Sequence, residues 1–150
     1  MRCSNWPCLA RRYGKWSTRA AAISSGVFPV PAFAHGDVTP QAVDTTGLEP
    51  LGKDWKESNP YRGNERAIEI GKSAFNQNCA RCHGLGAVSG GIAPDLRFLE
   101  PGDGGDEWFK ERVRNGAIRN GVTYMPKFDD ALGQEALWTI RAWLETVAEQ

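Results

Sequence analysis

The residues best suited to do chemistry lie together at Cys79-Ala80-Arg81-Cys82-His83, where two cysteines separated by two residues are followed at once by a histidine. Thiols at this spacing can each add to one of the two vinyl groups on one edge of a porphyrin. The imidazole that follows can then ligate the iron at the centre of the ring. The pattern therefore predicts one covalently bound haem c, attached through Cys79 and Cys82, with His83 as an axial ligand.

Two other kinds of site also use paired cysteines. A structural zinc site usually takes four ligands in two spaced pairs, but the second pair here, Cys3 and Cys8, lies in a segment that we expect to be removed. A redox dithiol of the thioredoxin type belongs in a βαβ context, and no strand-like run surrounds Cys79. Haem attachment is the favoured interpretation, with a dithiol and a metal clip as the alternatives.

The first 34 residues differ in charge from the rest of the chain. They contain five basic residues and no acidic one, then an apolar stretch over residues 20–30 and the sequence Ala32-Phe33-Ala34. These features are typical of a signal peptide with an A-x-A cleavage site. We therefore predict a signal peptide over residues 1–34, cleaved near Ala34, and a periplasmic protein. A retained basic N-terminus is the alternative.

The composition of the remaining residues excludes several classes of function. Residues 35–150 contain 13 Lys and Arg against 18 Asp and Glu, a net charge of −5. Nucleic-acid binding needs clustered positive charge, so we expect no nucleic-acid partner. No run of 18 apolar residues occurs, so the sequence predicts no transmembrane segment. The length suits one domain, which we expect to be a monomer.

Residues 35–64 show neither helical nor alternating periodicity and carry a proline at positions 40, 50 and 60. This pattern predicts an extended N-terminal arm ahead of a folded domain over residues 65–150. Whether the arm wraps the domain or serves a partner interface is left open by the sequence. Four apolar side chains are expected to dock part of the arm: Leu48, Leu51, Trp55 and Tyr61.

Two amphipathic helices are predicted at the ends of the domain. The first runs over residues 65–78, with Gly71 and Phe75 on one face, and the last runs over residues 131–148. Glycine inside a helix costs about 1 kcal/mol relative to alanine, so Gly71 predicts the close approach of another helix. We expect the two helices to cross, with Trp143 filling the notch that Gly71 leaves.

A further helix is predicted between them, over residues 106–115, after an acidic, glycine-rich turn at residues 103–106. Gly116 suits its C-terminal end, and we expect Trp108 to be a core residue, with a position near the haem rim as the alternative. Two arginines near its end are candidates for pairing with haem propionates or for simple solvation: Arg114 and Arg119.

Met125 is predicted to be the second axial ligand. A low-spin electron-transfer haem needs a second strong ligand besides His83. Met1 leaves with the signal peptide, which makes Met125 the only thioether left. The remaining natural candidate, His35, lies on the far side of the arm. We therefore expect His83 and Met125 to bind the iron.

Two residues after the motif are predicted to support the haem. A ligating histidine needs a partner for its other ring nitrogen, because that hydrogen bond fixes the ring and tunes the metal. The carbonyl of Pro94 is the candidate partner for His83, with an ordinary turn residue as the alternative. Leu96 is expected to lie against the porphyrin face.

Together these motifs resemble those of the class I cytochrome c family. The resemblance covers residues 65–148 and implies an all-α fold, in which the N- and C-terminal helices cross around one covalently bound haem c. It also implies single-electron transfer rather than catalysis, and it supplies family roles for Pro94, Gly71 and Phe75. The matching positions are Gly71-x-x-x-Phe75, Cys79-x-x-Cys82-His83, Pro94 before Leu96, Met125-Pro126 and Trp143-Leu144.

A narrower resemblance extends to residues 35–40, 76–84 and 115–121, which are similar to the periplasmic c-550-type cytochromes of bacterial alcohol oxidation. This resemblance implies a PQQ-dependent alcohol dehydrogenase as electron donor, and a terminal oxidase or another cytochrome as acceptor. Two alternatives remain at this point. One is a haem enzyme or gas-binding sensor with an open sixth coordination site, and the other is a permanent haem subunit held to a dehydrogenase by the arm.

Overall fold

Residues 39–149 are described by a computed structural model of the chain. The predicted signal peptide, the cysteines Cys3 and Cys8, and His35 therefore lie outside the described residues. The longest helix in residues 39–149 has 14 residues, and none of the helices there has the length and apolar character needed to cross a bilayer.

Four α-helices and one β-hairpin build the part of the domain that the structure describes. The helices are α1 (Glu65–Asn78), α2 (Ala80–His83), α3 (Asp103–Asn115) and α4 (Gln134–Thr146), and the strands are β1 (Ala117–Arg119) and β2 (Val122–Met125). Short 3₁₀ helices lie at Leu85–Ala87 and Leu96–Phe98. The N-cap of α1 is Asn64, whose side chain accepts a 3.0 Å hydrogen bond from the Ala67 N–H. The last helix is shorter at both ends than the sequence predicted.

The start of α3 corrects the predicted turn at residues 103–106. The backbone N–H of Asp106 donates to the carbonyl of Gly102, 3.0 Å away, so these residues form the first helical turn. Asp103 and Asp106 both lie in that turn, where carboxylates interact favourably with the helix dipole. Asp106 is buried and ion-paired with Arg141 of α4, a tertiary contact that the local sequence did not reveal. At the other end, Gly116 is the C-cap residue, as predicted.

The β-hairpin corrects the all-α prediction to a mostly helical domain with a two-stranded antiparallel sheet. Its turn is Asn120-Gly121, whose φ angles of 50° and 76° match the type I′ geometry that hairpins favour. The register pairs Arg119 with Val122 and shifts by one residue next to Ala117, which pairs with Met125. The segment before Met125 is therefore a strand.

The crossing of α1 and α4 is the centre of the fold, and Gly71 lies at its closest point. A Cβ atom on Gly71 would lie 1.9 Å from the carbonyl oxygen of Thr139, so only glycine fits there. The predicted close approach is confirmed, but the expectation that Trp143 fills the notch is wrong, because the α4 backbone itself occupies it. Trp143 packs instead on Phe75, with ring centroids 4.7 Å apart.

The arm over residues 39–64 wraps the helical domain, as far as its described residues show. Leu51 and Tyr61 are buried, while Leu48 and Trp55 are partly buried against the core, which confirms the predicted docking. The ring of Trp55 lies edge-on to buried Trp138 of α4, with centroids 6.1 Å apart. The arm is therefore part of the packed domain.

Candidate haem site

One cavity of about 620 Å³ brings together the side chains that the sequence singled out. Its volume lies within the range of 300–1,000 Å³ that is typical of ligand and cofactor sites. All six predicted site residues line it: Cys79, Cys82, His83, Pro94, Leu96 and Met125. These residues come from three separate parts of the chain, and the fold closes them around one space.

The two cysteines are positioned by the end of α1. The Cys79 N–H donates to the Phe75 carbonyl at 2.8 Å, and the N–H groups of Cys82 and His83 both donate to the Cys79 carbonyl. Burial, and to a smaller extent the neighbouring Cys82, raises the pKa of the Cys79 thiol to about 12. Redox dithiols have lowered thiol pKa values because they act as thiolates. The environment of Cys79 therefore disfavours dithiol chemistry.

The metal-clip alternative is also disfavoured by the geometry. Within residues 39–149, no three side chains from the set His, Cys, Asp and Glu lie together in a group able to hold a metal ion. A structural zinc site would need four such ligands. The cysteine pair instead borders the large, mostly apolar cavity.

His83 is buried and makes the hydrogen bond that the sequence predicted. Its Nδ1 lies 2.8 Å from the carbonyl oxygen of Pro94. A carbonyl oxygen only accepts, so Nδ1 carries the proton and Nε2 keeps a free lone pair. The imidazole is thus held in the tautomer that can ligate a metal through Nε2.

Asp95 holds the loop that carries Pro94. Its carboxylate accepts hydrogen bonds from the backbone N–H groups of Ser89 and Arg97, and its Oδ2 lies 2.9 Å from the Arg97 guanidinium. The side-chain hydrogen bond from Arg97 is the main cause that lowers the pKa of Asp95 to about 2. The carboxylate is therefore ionised at neutral pH, and the Pro94 carbonyl is presented from a loop closed by charge-assisted hydrogen bonds.

Met125 ends strand β2 and lines the cavity as a partly buried side chain. Its backbone crosses the end of α3 so closely that a Cβ atom on Gly116 would lie 2.4 Å from the Met125 carbonyl oxygen. Gly116 has a φ of 67°, a conformation that glycine adopts without steric cost. The hairpin and Gly116 together determine where the thioether enters the cavity.

The walls of the cavity include residues whose role the sequence did not indicate. Helix α4 contributes part of its apolar stripe, and the hairpin contributes Ile118 and Tyr124. The Asn120-Gly121 pair was the sequence signal that would have predicted this hairpin. Trp108 lines the cavity and is 40% exposed, so the prediction of a core tryptophan is wrong. The lining residues from α4 are Leu137, Ile140 and Leu144.

Three arginines line the cavity, and they differ in part from those that the sequence suggested. Arg112 is half-buried, donates to the Gly116 carbonyl at 2.9 Å and lies over the Trp108 ring. Arg119 and Arg81 also line the cavity but are exposed. Arg114 does not line it. Its guanidinium instead lies over Trp55, with Nε 3.9 Å from a carboxylate oxygen of Asp129.

The donor set around this cavity fits a haem. Two thiols at the C-x-x-C spacing, an imidazole with a free Nε2 and a thioether border a largely apolar space. Arginine side chains at its edge suit the two carboxylates that a haem carries. The chemistry of the lining matches a flat, apolar cofactor with an iron centre and an anionic edge.

Comparison with known proteins agrees with this geometry. The family model described as "Cytochrome C oxidase, cbb3-type, subunit III" matches residues 66–144. A cytochrome c550 from Pseudomonas aeruginosa is 68% identical over 120 residues, which cover 77% of this chain and 83% of that protein.

Two further relatives are larger proteins from Pseudomonas putida. The quinohemoprotein alcohol dehydrogenase ADH IIB is 35% identical over 57% of this chain, and ADH-IIG is 34% identical over 87% of it. The matched segments make up only 12% and 18% of those two dehydrogenases. Together, the family match and the 68% identity show that this chain belongs to the cytochrome c family.

Proposed function

We propose that this cytochrome holds a single haem c in the cavity described above. In this proposal Cys79 and Cys82 would form the thioether bonds, and His83 and Met125 would ligate the iron. Leu96 would lie against the porphyrin, and Arg112 would pair with the haem carboxylates because it is the cavity arginine that is half-buried. The N- and C-terminal helices would then cross beside the haem in a class I cytochrome c fold.

The observation that carries this proposal is the convergence of His83 and Met125 on one cavity. They are 42 positions apart in the chain, and both line the space that the cysteine pair borders. The Nδ1–H of His83 is engaged by Pro94, which leaves its Nε2 available. Met125 is the only methionine within residues 39–149, so that part of the chain offers no second thioether.

This chain belongs to the cytochrome c family and is 68% identical to a cytochrome c550. It is therefore a c-type cytochrome that carries electrons and is not an enzyme. Haem c supplies the one-electron chemistry of iron when it is bound. The side chains of this protein orient the ligand, exclude water and adjust the reduction potential. Pro94 orients His83, the apolar walls exclude water, and histidine–methionine ligation favours a higher potential than two histidines would.

The proposed donor is a PQQ-dependent alcohol dehydrogenase. Two relatives are by name quinohemoprotein alcohol dehydrogenases, and in each a segment similar to this chain is one part of the polypeptide. This supports the inference that electrons from such a dehydrogenase pass to this cytochrome. We further propose a terminal oxidase or another cytochrome as acceptor, a monomeric protein, and a periplasmic location after cleavage near Ala34.

An absorption spectrum of the purified protein in both oxidation states tests the haem site. We expect a pyridine haemochrome typical of two thioether bonds, one haem per chain and a weak sulfur-to-iron charge-transfer band in the near infrared. We also expect no reaction of the reduced protein with CO. A missing near-infrared band together with CO binding would show an open sixth site and overturn Met125 as a ligand.

Reduction by a purified PQQ-dependent alcohol dehydrogenase tests the donor. The oxidised cytochrome is mixed with the dehydrogenase and its alcohol, and the change in absorbance is followed. We expect rapid reduction that depends on the alcohol, whereas a mixture without alcohol serves as the control. If reduction is no faster than in the control, the donor is wrong even if the haem site is right.

A further inference from the structure

The hairpin that carries Met125 turns at an asparagine–glycine pair, and such a pair has a chemistry of its own. The side-chain amide carbon of an asparagine can be attacked by the backbone nitrogen of the next residue. Glycine in that next position leaves the nitrogen unhindered, because it has no Cβ atom. The chain contains two such pairs, Asn115-Gly116 and Asn120-Gly121. Their surroundings differ, so the structure predicts which of the two reacts.

Gly116 is protected by burial, by a hydrogen bond and by a close backbone contact. Its N–H donates to the Arg112 carbonyl at 2.8 Å, which retains the proton that must leave before the nitrogen attacks. A Cβ atom on Gly116 would lie 2.4 Å from the Met125 carbonyl oxygen, so the backbone has little room to rotate. Attack on Asn115 would therefore require the end of α3 to come apart.

Asn120 and Gly121 lie in a much more open setting. Both are exposed turn residues, and a Cβ atom on Gly121 would meet nothing within 4 Å. The register pairs Arg119 directly with Val122, so the Gly121 N–H lies outside the hydrogen bonds of the two strands. Within residues 39–149, no other backbone carbonyl accepts from it. Its proton is therefore open to removal by solvent base.

The turn must open for the attack to occur, and the hairpin around it is short. Asn120 has a φ of 50°, and its backbone must leave this left-handed geometry before its Cγ meets the Gly121 nitrogen. The two strands have only three and four residues, and residues 118–124 are all exposed. A two-stranded hairpin has little stability of its own, so such a turn opens locally at a low free energy.

We propose that Asn120 is a site of spontaneous deamidation, and that the isoaspartate it yields shifts the strand that carries Met125. The Gly121 nitrogen gives its proton to solvent base and bonds to Cγ of Asn120. The Cγ–Nδ2 bond then breaks, and Nδ2 takes up a proton and leaves as ammonia. Water opens the resulting cyclic imide at one of its two carbonyls, which gives aspartate or isoaspartate. Water is the only co-reactant.

The two products differ in their effect on the hairpin. Aspartate keeps the length of the main chain and adds one negative charge next to Arg119. Isoaspartate routes the main chain through the side-chain methylene, so the turn becomes longer by one bond. A longer turn no longer fits the type I′ geometry that sets the register of the strands. Strand β2 must then shift, and the consequence for the iron rests on the proposed function of Met125 as a ligand.

Ageing of the holo-protein in mildly alkaline buffer tests the modification site. Trypsin separates the two pairs, because Arg114 and Arg119 directly precede them. Mass spectrometry follows the conversion of each amide to an acid, and protein L-isoaspartyl methyltransferase measures the isoaspartate. We expect Asn120 to convert at least about tenfold faster than Asn115, since one backbone hydrogen bond contributes roughly that factor. Asn120→Gln is the control, because the longer side chain closes a ring much more slowly.

The near-infrared band provides the second readout. We expect the band of the wild type to weaken in step with its isoaspartate content, and the band of aged Asn120→Gln to persist. Freshly purified Asn120→Asp carries the new charge without the longer main chain, so it should keep the band. This variant separates the effect of charge from the effect of turn length.

The outcomes separate this inference from the proposed function. Equal conversion at Asn115 and Asn120 overturns the modification site. Conversion at Asn120 with an unchanged band, or a band already lost in fresh Asn120→Asp, overturns the shift of the strand. A fresh wild-type protein that lacks the band contradicts Met125 as a ligand instead, and the mass measurement then still decides whether Asn120 is modified.

Discussion

Asp106 and Arg141 form an ion pair that is closed to solvent, with the carboxylate Oδ1 2.7 Å from the Arg141 Nε and side chains that are 0% and 1% exposed. The other carboxylate oxygen accepts from Arg62 at 2.5 Å and from the Asn59 backbone N–H at 2.7 Å. Arg141 also donates to the Glu100 carbonyl at 2.8 Å. One carboxylate thus joins the end of the arm, the start of α3 and the middle of α4.

The first prediction is that Asp106→Ala destabilises the domain by about 3–5 kcal/mol, because it removes the closest carboxylate from buried Arg141 and leaves that charge with Glu145 alone, 3.3 Å away at the edge of the site. Guanidinium chloride unfolding of the holo-protein measures this loss. A second effect should accompany it, since the C-terminal half of α3 lines the cavity. We expect the near-infrared band of the variant to weaken before the protein unfolds.

Glu69→Gln is the control for this prediction. Glu69 pairs with Arg66 at 3.0 Å on the surface of α1, and both side chains are more than half exposed. Exposed pairs of this kind contribute about 0–1 kcal/mol, so the control should change little. Equal losses of unfolding free energy in the two variants would show that the buried pair contributes no more to stability than the exposed pair.

Features of the fold that a few adjacent residues determine could be predicted from the sequence, whereas features that depend on residues far apart in the chain could not. The haem motif, the N-cap of α1 and the Gly116 end of α3 are local, because a few adjacent residues set their chemistry. The Asp106–Arg141 pair joins positions 35 residues apart, and nothing near Asp106 distinguishes it from a surface acid in a turn. Its early helical turn was missed for the same reason.

The hairpin and the Gly71 contact illustrate two other limits on predicting structure from the sequence. Asn120-Gly121 is a local hairpin signal, but its strands have only three and four residues and carry little alternation. Gly71 was correctly predicted to mark a close approach, whereas the atom that approaches it was not. A notch can be inferred from a missing side chain, but what fills the notch depends on the register of the two helices.

The second prediction concerns that crossing. Gly71→Ala would place a Cβ atom 1.9 Å from the Thr139 carbonyl oxygen, so α1 and α4 must move apart. Overpacking usually costs about 1–3 kcal/mol and occasionally more, and we expect the upper end of this range because backbone opposes backbone. Thermal unfolding measures the loss. Gly90→Ala is the matched control, since a Cβ atom on Gly90 would meet nothing within 4 Å.

The third prediction is a pH dependence that comes from Asp95. Its hydrogen bonds, chiefly with Arg97, lower the pKa in the folded protein to about 2 from an ordinary value of 3.8. A lowered carboxyl pKa stabilises the fold above the unfolded pKa, and this contribution is lost as the pH falls towards 2. Asp95→Asn should therefore melt below the wild type at pH 7, and the difference should shrink between pH 4 and pH 2.

Thermal melts of the two proteins at several pH values measure this effect. Glu107→Gln, at an exposed site outside the Asp95 hydrogen bonds, serves as the control. A difference in melting temperature that stays constant down to pH 2 would show that the Asp95 carboxylate is not the titrating group.

The fourth prediction addresses the proposed sixth ligand. Met125→Ala removes the thioether from the cavity, and a c-type haem without this ligand has an open coordination position. We expect the near-infrared band to disappear, the reduced protein to bind CO stoichiometrically and the reduction potential to fall. Val122→Ala is the control, because Val122 lies on the same strand, is exposed and does not line the cavity. A Met125→Ala protein that excludes CO would require a different ligand.

The fifth prediction tests whether the arm is part of the domain. The Gln134 side chain donates to the carbonyls of Gly52 and Asp54, at 2.7 and 3.1 Å, and accepts from the Lys56 N–H at 3.3 Å. Gln134→Ala removes all three bonds, and leaving partners unpaired costs about 1–3 kcal/mol. We expect the arm to open more often, so that trypsin cleaves after Lys53 and Lys56 faster than in the wild type while the haem spectrum is retained.

Gln77→Ala is the control, because Gln77 is exposed and bonds only to Ser73 on its own helix. Equal cleavage rates in Gln134→Ala and the wild type would mean that these hydrogen bonds do not hold the arm, and that its apolar contacts at Leu51 and Tyr61 do.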